Sequence, residues 1–390
     1  DADQSANSPT VTRDIKDVLR NDPALYIDPA NVGAISISGQ NNRFNSITVD
    51  GVKQNDDFGL NNNGYATNRS PVSLDAVEQI SVSTSPWDVQ YNGFQGGAIN
   101  VVTKSGSNEF SGSAYYYYND DSMAGDRSQQ IRINPTFEEK TYGATFGGPI
   151  LQDRLFFFAN YEKFERIDPI ELTPLGTGIG QDFPGVSAAQ YATFRQTAQT
   201  VYSFDPGEFV PTVPEEAEKL LVNLDWNITD AHRARFSWQR TEDFNTTGPT
   251  TTVGATRSLD APSRWYERGF KLDQYVAQFF SNWSDVFSTE FRAAKKKVDN
   301  RQEPRGGTNF SSMEVRGFLD PQGRDGRVFF GPDGPRHANK LNNEQDQLRF
   351  RAEYLLGNHT LSAGLEWEKL DVFNLFGNNV RGSYLFNTLT

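Results

Sequence analysis

The chain contains no cysteine. Disulfide frameworks, thiolate zinc sites and iron–sulfur clusters are therefore excluded. Histidine is scarce as well, with only His232, His337 and His359. Two of these sit beside short expected turns and one in a long loop, so neither a histidine triad nor a zinc site is expected. No apolar run reaches the ~18 residues of a membrane-crossing helix. That leaves open a closed barrel, which also satisfies every backbone group. Basic residues are the minority, 37 against 50 acidic, and the formal net charge of −13 argues against a nucleic-acid binder. An acidic surface of this kind is solvated and attracts cations or basic ligands. Gly176-Thr177-Gly178-Ile179-Gly180 lacks the spacing of a dinucleotide fingerprint and lies in a long loop. Carboxylates are plentiful, yet no pair stands out as a glycosidase pair. Asp320, Asp325 and Asp333, near Gly323, Gly326 and Gly334, offer oxygen ligands for calcium without the EF-hand spacing. Solvated turns are the simpler reading. No catalytic residue, metal site or cofactor is expected, and the chain does not read as an enzyme.

What is present is an unusual pairing of low hydrophobic content, 36%, with high aromatic content, 13%. Disordered chains carry few aromatics. A transmembrane β-barrel accounts for both numbers, because its lumen and loops are polar while a thin outer band is apolar and aromatic. The alternation agrees. Leu220, Val222, Leu224 and Trp226 interleave with Leu221, Asn223 and Asp225. Ala234, Phe236 and Trp238 interleave with Arg233, Arg235, Ser237 and Gln239. Leu348, Phe350, Ala352 and Tyr354 interleave with Arg349, Arg351 and Glu353, and Leu361, Ala363, Leu365 and Trp367 with Ser362, Glu366 and Glu368. Period-2 alternation places each set on one face of a strand. Soluble sandwiches alternate too, so connection lengths decide.

Strands are expected at about 108–119, 139–147, 155–166, 216–227, 232–243, 267–283, 286–298, 344–355 and 360–371, with a further one from 381. The connections between them alternate between long and short. The long ones are 120–138, 167–215, 244–266, 299–343 and 372–380; the short ones are 148–154, 228–231, 284–285 and 356–359. Long external loops alternating with short turns mark an outer-membrane barrel, whereas soluble domains seldom carry loops beyond ~12–15 residues. Aromatic clusters at Tyr115–Tyr118, Phe156–Phe158, Trp283 and Phe287 suit membrane interfaces.

The first hundred residues read differently. Ile15, Val18 and Leu19 share a helical face that Asp14 can cap. Ala34–Ser38, Ser46–Asp50, Gln79–Ser83 and Ala98–Thr103 read as short strands, Asp50-Gly51 as a turn, and Ser73 as a cap for a short helix. Several of these stretches resemble the plug of TonB-dependent outer-membrane receptors, and within that family the Oar-like branch. They are Ile37-Ser38-Gly39, Ile47-Thr48-Val49-Asp50-Gly51-Val52, Leu74-Asp75-Ala76-Val77-Glu78-Gln79-Ile80, Tyr91-Asn92-Gly93 and Gly96-Gly97-Ala98-Ile99-Asn100-Val101-Val102-Thr103-Lys104.

The resemblance implies a mixed α/β plug domain over residues 1–105. An antiparallel transmembrane β-barrel follows over 106–390, with extracellular loops 120–138, 167–215, 244–266 and 299–343. A barrel housing such a plug needs about 22 strands. The roughly nine or ten expected here are its N-terminal part. The natural protein is therefore expected to continue past Thr390, and to carry a small β-domain and a TonB-contacting segment before the plug. The implied function is active import across the outer membrane of a Gram-negative bacterium. The implied partners are the TonB energy-transducing complex, outer-membrane lipid and an extracellular ligand. A passive porin or an adhesin with a plug-like domain is the alternative.

Loops at the plug apex face the ligand in this family. By resemblance the candidates are Asn55, Asp56, Asp57, Phe58, Asn61, Asn62, Asn63 and Tyr65, with Trp87, Gln90 and Tyr91 in a second loop. Amides and aromatics suit a peptide, protein fragment or oligosaccharide better than a siderophore. Two positions depart from the receptor pattern. Ser38 stands where many receptors carry arginine and Ser81 where many carry glutamate, which leaves open how plug and wall are locked together.

Overall fold

A computed structural model describes residues 13–28, 33–84, 89, 96–125, 127–128, 131–132, 137–248 and 257–388. Near the N-terminus, Asp14 accepts the Lys16 backbone N–H at 3.0 Å and caps the helix Ile15–Leu19. A two-stranded ribbon follows, β1 (Leu25–Asp28) and β2 (Ala34–Ile37). The first of these was not legible, since four residues with two apolar side chains carry almost no period. Strands β3 (Ser46–Val49), β4 (Val52–Lys53), β5 (Val77–Ser83) and β6 (Ala98–Thr103) form a sheet in the order β4-β3-β6-β5. The β3–β4 hairpin turns at Asp50 and Gly51, whose φ values of 50° and 77° are those of a primed turn. The segment before β5 is a single 3₁₀ turn, Leu74–Ala76, with the Ser73 hydroxyl accepting the Asp75 N–H.

The remaining elements, in chain order, are β7 (Ser111–Asp120), β8 (Arg127–Ser128), β9 (Ile131–Arg132), β10 (Glu138–Leu151) and β11 (Leu155–Pro169). Next come β12 (Leu172–Leu175), β13 (Gln181–Ser187), a helix Ala188–Tyr202, β14 (Thr212–Asn227), β15 (His232–Thr247) and β16 (Ser258–Asp260). The series ends with β17 (Tyr266–Ser284), β18 (Phe287–Pro304), β19 (Ser312–Leu319), β20 (Asp325–Phe330), β21 (Ala338–Leu356), β22 (His359–Gly377) and β23 (Ser383–Phe386).

Nine of these strands make one antiparallel sheet in strict chain order, β7-β10-β11-β14-β15-β17-β18-β21-β22. β7 and β22 are its two edges, so the sheet is an open arc of barrel wall. All nine wall strands expected from the alternation are present. Several run further toward the long loops than expected; β21 and β22 each hold 19 residues. A strand needs only ~9–11 residues to cross a bilayer. The extra residues of β21, among them Asn339, Lys340, Asn342 and Asn343, are mostly polar, which hides the period there. The strand expected from 381 is not part of the wall. β23 pairs in parallel with β19, in a small sheet ordered β16-β20-β19-β23.

The alternation sorts the two faces of the wall. Phe236, Phe279, Phe291, Leu348, Phe350, Tyr354, Leu365 and Trp367 are exposed on the outside. Register aligns Phe279, Phe291, Phe350 and Leu365 across four strands. An exposed apolar surface this continuous belongs against lipid. The inner face carries Glu162, Lys219, Asn223, Gln239, Thr241, Asp243 and Lys296, all buried against the first hundred residues. Phe158 and Leu221 of the wall join the core of Ile35, Ile37, Ile47, Val49, Ile99 and Val101.

Not every expected interface aromatic faces lipid. Tyr116 and Tyr118 point outward, but Tyr115 hydrogen-bonds Glu162 inside, and Phe156 and Phe158 are buried. Adjacent residues of a strand cannot share a face, so each cluster is split.

The described parts of connections 167–215, 244–266 and 299–343 pack together. The helix Ala188–Tyr202, Phe183, Trp265, Phe318, Phe330 and Phe209 build a second core outside the wall. Ser187 and Gln190 cap that helix reciprocally. In the same region Asp320 is bound by Arg324 at 2.6 Å, Asp325 by Arg257 at 3.2 Å and Asp333 by Arg336 at 3.1 Å. The three carboxylates thus serve three separate arginines. Hydrogen bonds from the Arg324 backbone and side chain outweigh the effect of burial and lower the Asp320 pKa.

Candidate functional site

The apex segment Gln54–Ser70 is held from below by its own amides. Asn55 accepts the Ile47 N–H at 2.9 Å and donates to the Asn45 carbonyl. Asn61 donates to the Tyr65 carbonyl at 3.1 Å. Asn63 donates to the carbonyls of Thr67 and Asn68 and accepts the Tyr65 N–H. Tyr65 is wholly buried, with its hydroxyl directed at Asp14. Burial, then the negative charge of Asp14, hold this phenol protonated well above its ordinary range. Asp56 accepts the N–H groups of Phe58 and Asn61, which shapes the bend.

The candidates therefore separate into two groups. Asn55, Asp56, Asn61, Asn63 and Tyr65 face inward and set the loop's shape. Phe58 and Asn62 are exposed. Leu60 and Phe44, which the sequence reading did not single out, stand exposed beside them. Asp57 turns its carboxylate toward Lys296, 3.3 Å away, although its backbone is open. Trp87, Gln90 and Tyr91 lie outside the described residues.

The seat of this segment in the wall was not anticipated residue by residue. Glu162 (β11) pairs with Lys219 (β14) at 2.8 Å and also accepts hydrogen bonds from Ser73 and Tyr115. Asp243 (β15) accepts the Asn68 N–H at 2.8 Å and the Arg69 N–H at 3.3 Å. Gln239 and Thr241 both donate to the Pro71 carbonyl. Arg268 (β17) donates to the Leu60 carbonyl and the Asn61 side chain, and Gln54 meets Gln274. The fully buried Lys296 (β18) donates to the Lys53 carbonyl at 3.0 Å. Lower down, Arg235 reaches the Thr103 carbonyl and hydroxyl, and Asp50 accepts from Thr103 as well. These contacts stand in the structure in the absence of the arginine and glutamate that Ser38 and Ser81 replace. The signal that could have found them is a charge on the lumenal set of an apolar-out strand.

Comparison with known proteins agrees with this arrangement. A family model described as an outer membrane beta barrel domain matches residues 102–390, and one for a TonB-dependent receptor plug domain matches residues 2–99. The chain belongs to the TonB-dependent receptors, plug-bearing multi-pass β-barrel proteins of the outer membrane. It is 36% identical over 135 residues to the TonB-dependent transporter Oar of Myxococcus xanthus, a match covering 33% of this chain and 12% of that protein. The outer membrane transporter YddB from Escherichia coli superimposes with a TM-score of 0.66 at 13% identity, over 99% of this chain and 49% of that one. The siderophore receptor PirA from Pseudomonas aeruginosa gives a TM-score of 0.58 at 14% identity, over 96% of this chain and 48% of that one. The chain thus spans about half the length of these solved structures.

Proposed function

We propose that the chain is the plug, residues 1–105, and part of the wall, residues 106–390, of an active importer of the outer membrane. One observation carries this reading. Side chains from five wall strands, β11 (Glu162), β14 (Glu215), β15 (Asp243), β17 (Arg268) and β18 (Lys296), converge on the plug between Lys53 and Ser73 through hydrogen bonds and ion pairs. Hydrogen bonds to charged groups net about 1.5–3 kcal/mol each, so they hold a plug in register yet release it one by one under a pull. The pull comes from the TonB complex, because the outer membrane has no ATP. No residue performs covalent chemistry, and the protein is not an enzyme.

The ligand lands on the exposed apex around Phe58 and Asn62. Apolar faces set among amides suit a peptide, protein fragment or oligosaccharide. The test is uptake of a labelled ligand by intact cells with and without a protonophore. Uptake that stops with the protonophore supports the importer; uptake that continues unchanged identifies a passive pore. Phe58→Ala is expected to weaken ligand binding about tenfold without lowering thermal stability, as loss of an exposed aromatic anchor does. Asn63→Ala is expected to cost about 1–3 kcal/mol of plug stability, because it strands buried backbone groups. Tight binding of a ferric siderophore that Phe58→Ala abolishes would contradict the ligand class.

A further inference from the structure

A cavity of ≈ 770 Å³ lies between the plug sheet and the lower wall, near the short turns. Its wall side carries one row of side chains in strict cross-strand register. The row runs Asp225 (β14), Arg235 (β15), Gln278 (β17), Arg292 (β18), Arg349 (β21) and Glu366 (β22). All six line the cavity. Strand spacing of about 4.8 Å makes the row roughly 24 Å long.

The charges along the row do not balance locally. Arg235 has Asp225 at 3.9 Å and Asp50 at 3.8 Å. Arg349 has Glu366 as its cross-strand neighbour. Arg292 is flanked in register by neutral Gln278 on one side and by Arg349 on the other, and the carboxylates that act on it, Glu290, Glu366 and Asp50, form no ion pair with it. Like charges directly opposite across a sheet destabilise it. Arg292 is only 6% exposed, its Nε has no hydrogen-bond partner, and it forms no ion pair among the described residues. Its guanidinium lies against bare backbone, since a Cβ on Gly51 would fall 1.7 Å from Nη1. A buried guanidinium without a partner is costly unless something else completes it.

We propose that this cavity binds the carboxylate of a peptide in transit, with Arg292 as the group that receives it. A guanidinium presents a planar fork that matches a carboxylate with two parallel hydrogen bonds. Gln278 beside it offers an amide to the peptide backbone. The acids at the ends of the row stand farther off, Glu366 two strand spacings away and Asp225 three. A neutral sugar would leave Arg292 unmatched. The proposal rests on the transport reading above, but its test does not.

The test uses the intact receptor in detergent, where no energy source is present. The probe is fluorescein-labelled trialanine, prepared with a free C-terminal carboxylate and as the C-terminal amide. Wild-type receptor is expected to bind the acid at least about tenfold more tightly than the amide, the scale of a hydrogen bond to a charged group. Arg292→Met should remove that preference and Arg292→Lys should keep part of it. Arg349→Gln, at a less buried position, should also reduce it and guards against misfolding of the first variant. Equal binding of acid and amide by the wild type overturns the proposal, as does a full preference in Arg292→Met. Inorganic phosphate that displaces the acid as readily as unlabelled trialanine would make this a general anion site and overturn the peptide assignment. Failure of the protonophore test leaves this result standing, and failure here leaves the importer standing.

Discussion

Glu162 and Lys219, paired within the wall, show how one residue ties plug to wall: the lysine holds the carboxylate that receives the plug's Ser73 hydroxyl. Both side chains are within 5% of full burial, and each is the other's charge partner. Breaking such a pair leaves an uncompensated buried charge and costs about 3–5 kcal/mol, whereas removing both charges costs less. Lys219→Met should therefore lower the urea midpoint of plug release sharply, and Glu162→Gln with Lys219→Met should recover part of the loss. A single variant as stable as the wild type would show that the pair does not hold the plug. Lys219 was readable only as a charge on the inward set of β14; its partner, 57 residues away, was not, because pairing across strands leaves no local trace. The apex amides carry the same lesson. Asparagine richness singled out Gln54–Ser70 as a candidate ligand loop. It did not tell that Asn55, Asn61 and Asn63 spend their amides on the loop's own backbone, while Phe58 and Asn62 stay open.

Among the elements, the wall strands were legible and the folded loops were not. A membrane strand repeats its period over ten or more residues, so the pattern survives in one sequence. The helix Ala188–Tyr202 does not advertise itself in that way, because only Tyr191, Phe194 and Ala198 of its 15 residues are buried. Its signals were the Ser187 and Gln190 capping pair and the glycine-rich stretch before it. Ser187→Ala should destabilise this helix by about 1 kcal/mol, seen as faster amide exchange confined to the loop cap. A pH dependence belongs to the same element. The Arg195 guanidinium beside Asp205 holds that carboxyl down at about 2. Because the folded pKa is depressed, the contribution is present above the ordinary carboxylate pKa and is lost as pH falls through about 4 toward 2. Both groups are largely in solvent, so the effect is small. Exchange protection of the helix should stay flat from pH 7 to 5 and decline below 4 in the wild type, with no such decline in Arg195→Gln.

At the scale of the whole molecule, one sheet divides two environments. Phe279, Phe291, Phe350 and Leu365 form a continuous outer row, and the plug fills the inner face. Placing a charge in that outer row should be costly. Phe291→Arg is expected to lose about 2–4 kcal/mol in lipid bilayers, the scale for arginine near the midplane of a barrel's lipid face. A loss below 1 kcal/mol would place this face in water. The division into plug and alternating wall was visible in connection lengths and period, but the depth at which plug meets wall came only from the folded chain. The central claim is that an energised cell dislodges this plug, and because these 390 residues contain no cysteine, a label on them reports only an introduced one. Ser73 is 1% exposed, under the wall, where it touches Glu162. In cells expressing the full receptor as Ser73→Cys, a membrane-impermeant maleimide should label this residue when the inner membrane is energised and ligand is present. Labelling should cease when a protonophore is added. Equal labelling with and without the protonophore would mean that the plug does not move under the cell's energy supply, and the importer reading would fall.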